Sequence, residues 1–357
     1  MRLPSDRAMS KTATRPLART LLLAALGTCA GLLLTELGVR IATHSLLTWR
    51  GKESDGYVIT DRLVGRIPRD GISLRHPQGF SMTIADHGTR DNGRHPAPAD
   101  RPLTLVVGDS FAFGDGVNDE DSWPAILERL LGRRVINAAV PGFGLDQAVL
   151  RAEQLAEIYA PDIVILSFIP HDVLRCEMSY WSGHAKPYFQ VDSSGLRLHP
   201  APVPPRRPYA LLKQVLSASM TLDILFARSL HWEGPEQTLV HQRGREVACL
   251  LVKQLAMVGR ARHTQIIVLA QPQQPAATPE QLEIKNGVLA CAQANHLSVL
   301  DLFPVIESLP PAQRTPLFPR HMSAEGNRLV ATEVADFIQR AILSDGRADD
   351  IRGAAQQ

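Results

Sequence analysis

The chain has no C-x-x-C pair, no H-E-x-x-H signature and no other spacing that fits a metal, so neither a metal nor a cofactor is expected. It also lacks a basic face. The formal net charge is only +2, and much of the positive excess sits at the extreme N-terminus. A nucleic-acid partner needs a basic patch in the folded part, so none is expected. The pairs Arg133-Arg134 and Arg206-Arg207 read as solvated loop charges. There is no internal repeat. Cysteine is scarce: Cys29 lies in the apolar N-terminal run, and Cys176, Cys249 and Cys291 cannot all pair with one another. Buried free thiols are the plain reading, with a Cys249–Cys291 bridge as the alternative. What remains is ordinary for a globular protein: 357 residues, 45% hydrophobic and 21% charged, enough for one large domain or two small ones.

The N-terminus decides the compartment. Arg2, Arg7, Lys11, Arg15 and Arg19 precede a run that is apolar from Leu21 through Leu34. It continues through Leu37, Val39 and Ile41, interrupted by Glu36 and Arg40. A positive flank before an apolar stretch opens both signal peptides and membrane anchors with a cytoplasmic N-terminus. No small-x-small cleavage site stands out after the run. Leu26-Gly27-Thr28-Cys29 only faintly resembles a lipoprotein acceptor, because the residue before the Cys is Thr and the chain stays apolar beyond it. The favoured reading is an uncleaved anchor of roughly 20 residues, with a cleaved signal peptide as its competitor. Either way the body lies outside the cytoplasm.

Residues 1–48 are therefore read as a cytoplasmic basic segment and anchor. From 49 to about 100 the sequence is polar and rich in Gly, Pro and Arg, a lead-in of turns and short strands without its own core. From 101 to 344 apolar runs alternate with helical spacing. Strands are predicted at 103–107, 135–137, 163–166, 266–269 and 299–300, and helices at 122–131, 146–159, 243–260, 279–295 and 324–343. Short apolar strands separated by helices predict an α/β fold with a five-stranded parallel sheet covered on both faces. The stretch from about 178 to 236 breaks the rhythm, with a Pro-rich knot at Pro200–Pro208 and an apolar helical segment at Leu211–Leu230. It reads as an insertion that shapes or covers the site. The tail, 345–357, is polar and reads as disordered.

In open parallel sheets, sites form at the carboxyl ends of the strands. Three segments follow predicted strands there, and a fourth precedes the last helix. In Gly108-Asp109-Ser110 the hydroxyl is either a nucleophile exposed at the sheet edge or a cap on the next helix. It is not the G-x-S-x-G elbow, since Ala112 stands two residues after Ser110. In Asn137 to Gly144 a glycine would let an amide approach an oxyanion, although taken alone the segment reads as a simple strand-to-helix turn. In Pro170-His171-Asp172 a side chain is placed to donate to that oxyanion, and Asp172 alternatively caps or fixes the loop. His321 stands ahead of the last helix, where an imidazole can reach back to the first strand or remain a surface residue.

These four segments, in this order, resemble the SGNH/GDSL hydrolase family over about Leu103 to Ile342. Gly108-Asp109-Ser110 matches the first block with its nucleophile. Gly142, five residues after Asn137, matches the second, Pro170-His171-Asp172 occupies the third, and His321 with Gly326 fits the last. The run GDSFAFGDGV, the anchor followed by TELGVR, and the HGTR of His87–Arg90 resemble the exported, membrane-anchored bacterial branch. The resemblance implies a flavodoxin-like three-layer αβα sandwich behind the N-terminal transmembrane helix. It implies catalytic Ser110 and His321, with an oxyanion hole at Ser110, Gly142 and position 171. Two departures stand out. The family's third-block Asn is His171 here, and the family's Asp, two or three residues before its His, is replaced by Pro319 and Phe318. The resulting expectation is a Ser–His dyad, Glu325 being read as a surface helix residue.

Three functions fit. The first is an esterase that removes an acyl group, such as O-acetyl, from an envelope polysaccharide or lipid. It would be a single-pass protein of the bacterial inner membrane with a periplasmic catalytic domain. The second is an O-acyltransferase using the same Ser and His. The third is a non-catalytic binding or assembly protein, for which the two departures are the evidence.

Overall fold

The computed structural model describes residues 14–42, 57–75, 79–93, 102–193, 195–202, 219–222, 224–225 and 237–344. Most of the Pro-rich knot, most of the apolar segment after it, and the polar tail lie outside these. The chain forms two compact units, residues 1–55 with 206–233, and residues 56–205 with 234–357.

The smaller unit contains helix α1 (Thr14–Ala42). Its stretch Arg19–Ala42 has a mean hydropathy of 1.8 and is the one helix among the described residues long and apolar enough to cross a membrane. At 1.5 Å per residue its 24 residues span about 36 Å, more than the hydrocarbon core of a bilayer. Such a helix suits an anchor or a signal sequence. The polar interruption within it has partners. Arg40 and Glu36 pair one turn apart at 2.7 Å. Glu36 also accepts hydrogen bonds from the hydroxyls of Ser219 and Thr221 and the amides of Met220 and Thr221, at 2.8–3.0 Å. The carboxylate thus caps a helical turn that belongs to the insertion.

In the larger unit, the main sheet consists of β1 (Thr104–Val107), β2 (Val135–Asn137), β3 (Ile163–Phe168), β4 (Gln265–Ala270) and β5 (Ser298–Asp301). They hydrogen-bond in the order β5-β4-β3-β1-β2, all parallel. The connecting helices are α2 (Ser110–Phe113), α3 (Trp123–Leu131), α4 (Leu145–Tyr159), α5 (Pro170–Arg175), α6 (Gly244–Arg262), α7 (Pro279–Ala294), α8 (Phe303–Ser308), α9 (Pro311–Arg314) and α10 (Ala324–Ser344). Side chains alternate along a strand, so two apolar cores form. Leu105 and Val107 of β1 pack with Leu155, Leu251 and Val288 of α4, α6 and α7. Val106 packs with Phe113, Leu127 and Val334 of α2, α3 and α10. This is the expected flavodoxin-like αβα sandwich, and the predicted strands and helices lie within two residues of the observed ones.

Cys249 of α6 and Cys291 of α7 form a disulfide, while Cys29 and Cys176 are free. Closing a loop of this length, 42 residues apart in sequence, stabilises the fold by about 4 kcal/mol on the chain-entropy account.

The described part of the lead-in adds buried residues to both cores of the sheet. It forms the hairpin Val58–Asp61 with Gly65–Pro68 and a second pair, Ser73–Arg75 with Ser81–Thr83. Val64 is buried in one core, and Phe80, Met82 and Ile84 in the other. The start of the insertion is equally integral. Met178–Trp181 pairs with His184–Ala185 and Gln237–Leu239. Buried Lys186 donates to Asp146 of α4 at 2.5 Å and to the carbonyls of Arg175, Met178 and Pro187.

Candidate active site

From β1 the sheet continues to β2 on one side and to β3 on the other, so the crevice at their carboxyl ends is a topological switch point. Ser110, Gly142 and His171 follow β1, β2 and β3 in turn. The end of β1 is packed tightly. A Cβ on Gly108 would lie 2.6 Å from the carbonyl of Ser167 on β3. Helix α2 is capped by Asp109, whose Oδ1 accepts from the Phe111 amide at 2.9 Å. The capping role open to Ser110 is therefore taken by its neighbour. Ser110 is the first helical residue, 7% exposed, and its hydroxyl donates weakly to Asp109 Oδ2 at 3.4 Å.

α2 ends at Gly114, whose positive φ of 82° turns the chain back and presents Asp115. A Cβ there would clash with Ser122 at 2.6 Å. Arg90, buried in the lead-in, holds this turn from inside. It donates to the carbonyls of Phe113, Gly114 and Val117 at 2.5–2.9 Å and pairs with Asp119 at 2.9 Å. The effect is to set Asp115 Oδ2 3.7 Å from Nδ1 of His321. His321 also packs edge-on against Phe111, the residue after Ser110, at 5.4 Å between ring centroids. Its loop is fixed from behind by Asn327, which accepts from the Trp123 amide and donates to the carbonyls of Met322 and Ser323. Gly326 leaves room for Met322. Glu325 is exposed, as expected.

On the other side of the site, Gly142 has φ 78°, and a Cβ on it would meet Arg66 Nη2 at 2.5 Å and Trp181 Nε1 at 3.5 Å. Arg66 comes from the first lead-in hairpin and donates to the Pro141 carbonyl at 3.0 Å. Arg175 of α5 ties three blocks together. It pairs with Asp172 at 2.7 Å and Asp109 at 3.6 Å, donates to the Phe143 carbonyl at 2.8 Å, and lies over the Trp181 ring at 5.0 Å. Burial pushes the carboxyls of Asp109 and Asp172 up, against the pull of Arg175. Asp172 also accepts from the Ile169 amide at 3.0 Å, so the loop-fixing alternative describes it.

His171 is held by Trp181, edge-on at 5.0 Å, and by Arg175, whose Nη2 lies 3.5 Å from His171 Nδ1. Burial, and then Arg175, push its pKa down to about 4, so the imidazole is neutral at pH 7. A guanidinium only donates, so Nδ1 is the acceptor and the ring proton sits on Nε2.

The sequence reading missed Asp115, Arg66, Arg90 and Arg175. For Asp115 the available signal was the Gly-Asp-Gly turn five residues beyond Ser110. Among the described residues no group of three His, Cys, Asp or Glu is placed to hold a metal ion.

No family model and no curated protein matches the chain. Several solved structures are similar to part of the chain. A lipase/acylhydrolase from Enterococcus faecalis is 12% identical, with 67% of this chain and 96% of that one covered and a TM-score of 0.42. A psychrotrophic esterase from Pseudoalteromonas sp. is 12% identical over 67% and 98%, with a TM-score of 0.39. A catalytic mutant of an acetylxylan esterase from Geobacillus stearothermophilus is 16% identical over 65% and 92%, with a TM-score of 0.37. Any chemistry must be carried by the side chains described above.

Proposed function

We propose that this chain is a serine ester hydrolase of SGNH type, exported and held at the inner membrane of a bacterium by α1, that removes a small acyl group from an envelope polysaccharide or lipid. The observation that carries the reading is the juxtaposition at one sheet edge of Ser110, relieved of capping by Asp109, and His321, faced by Asp115. Asp115 supplies, from the first block, the carboxylate missing before the His. Rather than a dyad, we read a triad of Ser110, His321 and Asp115. The 3.7 Å separation is an ion-pair distance that tightens to a hydrogen bond as His321 gains charge.

In this mechanism the Ser110 hydroxyl swings from Asp109 to His321 and attacks the ester carbonyl carbon, and the imidazole takes its proton. The carbonyl oxygen becomes an oxyanion, held by the amides of Ser110 and Gly142 and by His171 Nε2–H, which takes the place of the family's Asn. The ester C–O bond breaks, and His321 returns the proton to the leaving alcohol. Water then repeats the sequence on the acyl-serine, releasing the acid and restoring Ser110. The compartment is supported by α1 with its basic flank, and by the Cys249–Cys291 disulfide, which suits an oxidising environment.

The test is release of 4-nitrophenol from 4-nitrophenyl acetate by the full chain in detergent. Ser110→Ala should lower the rate at least about 10³-fold. Equal rates for the two proteins would overturn the assignment.

A further inference from the structure

Among the described residues, Arg66 is a cation without an anion. A guanidinium carries five N–H donors, and the hydrogen bond given by Arg66 goes to the Pro141 carbonyl. Its charged neighbour is Arg175, of like sign, while the other electrostatic neighbour is the Tyr57 phenol. Among the described residues no carboxylate pairs with it. Arg90, Arg175, Lys186 and Lys285 each face one. Burial, and then Arg175, bring its pKa down to about 10, which still leaves it charged at neutral pH. Holding a desolvated charge beside another cation costs stability unless something negative arrives.

Two further donors bear on this site, the Tyr57 phenol through its interaction with Arg66 and the Trp181 indole beside Gly142. The Tyr57 hydroxyl is buried with no hydrogen-bond partner among the described residues, and it feels both Asp115 and Arg66. Burial raises its pKa, so it stays protonated and able to donate. The Trp181 indole N–H, which only donates, lies 3.5 Å from where a Cβ on Gly142 would stand. Arg66 and Trp181 thus flank Gly142 with N–H donors, the Tyr57 phenol interacts with Arg66, and among the described residues no carboxylate pairs with Arg66.

We propose that Arg66, assisted by Tyr57 and Trp181, forms an anion subsite beside Gly142, and that the natural ester carries a carboxylate or phosphate next to its scissile acyl group. The planar fork of arginine fits either oxyanion with two parallel hydrogen bonds. The inference deepens the proposed ester hydrolysis and rests on it for the position of the scissile bond.

Binding tests the subsite separately from turnover. The probes are three acetates of similar size: monoacetylglycerol, O-acetylglycerate and 1-acetylglycerol 3-phosphate. Their dissociation constants are measured calorimetrically on the full chain in detergent, with Ser110→Ala present so that nothing is consumed. At least one anionic acetate should bind about 10- to 100-fold more tightly than the neutral one, and which one identifies the anion. Adding Arg66→Gln should erase that preference, Arg66→Lys should keep part of it, and Tyr57→Phe should reduce it. No preference in the Ser110→Ala protein, or one that survives Arg66→Gln, overturns the subsite. If Arg66→Gln fails to fold, the Arg66→Lys and Tyr57→Phe proteins decide by the same criterion. Failure of the catalytic reading shows up elsewhere, as absent hydrolysis by the wild-type chain.

Discussion

The two sides of the site treat their arginines differently. On the His321 side, Arg90 is met in full, with four carbonyls and the Asp119 carboxylate around one guanidinium. On the Gly142 side, Arg66 has one carbonyl and a like-charged neighbour. A cation whose acceptors are all internal holds a shape. One whose acceptors are missing is poised for a ligand. On the proposed reading, the contrast separates residues that would build the catalytic edge from those that would meet the substrate.

The sharpest way to break that division is at Asp115. If it orients and charges His321, Asp115→Asn should lower ester turnover by up to about 10⁴-fold, seen chiefly in kcat, with the fold intact by circular dichroism. Unchanged turnover would restore the Ser–His dyad.

Arg90 should act through stability. Arg90→Met strands Asp119 and four carbonyls, costing about 3–5 kcal/mol in denaturant unfolding. Arg66→Gln should cost much less, because it removes a charge with no partner. Equal losses would erase the distinction between the two arginines.

His171 tests the oxyanion side. His171→Ala should reduce turnover about 10²- to 10³-fold, whereas His171→Asn, which restores an amide donor, should recover most of it.

The smallest effect is on pH. An unfolded chain protonates His171 near 6.5, and the folded one only near 4. Between those values the unfolded state binds more protons, so stability falls as pH drops from about 6.5 to about 4 and then levels off. His171→Asn should flatten the thermal-unfolding midpoint across that window.

Much of this was legible in the sequence. The strands of the main sheet are apolar on both faces, and the helices keep a 3.6-residue period, so both could be read locally. Ser110, Gly142 and His171 sit at motif positions tied to strand ends, and His321 at one just ahead of the last helix. Asp115 was not legible as a neighbour of His321, because its approach to His321 is made by a turn that Arg90 holds from a segment 25 residues earlier. Arg66 reaches Gly142 across 76 positions of sequence, and only the folded lead-in hairpin brings them together. The lead-in looked like polar filler because its few apolar residues, Val64, Phe80, Met82 and Ile84, are buried in cores built by other elements.

The central claim is that Ser110 is a nucleophile activated by His321 and Asp115. Its most direct test is fluorophosphonate labelling of the full chain, with mass spectrometry locating the adduct. The account predicts an adduct on Ser110, forming more slowly with Asp115→Asn and more slowly still with His321→Ala. A folded protein that takes no adduct, or that labels at the same rate in all three forms, would contradict it.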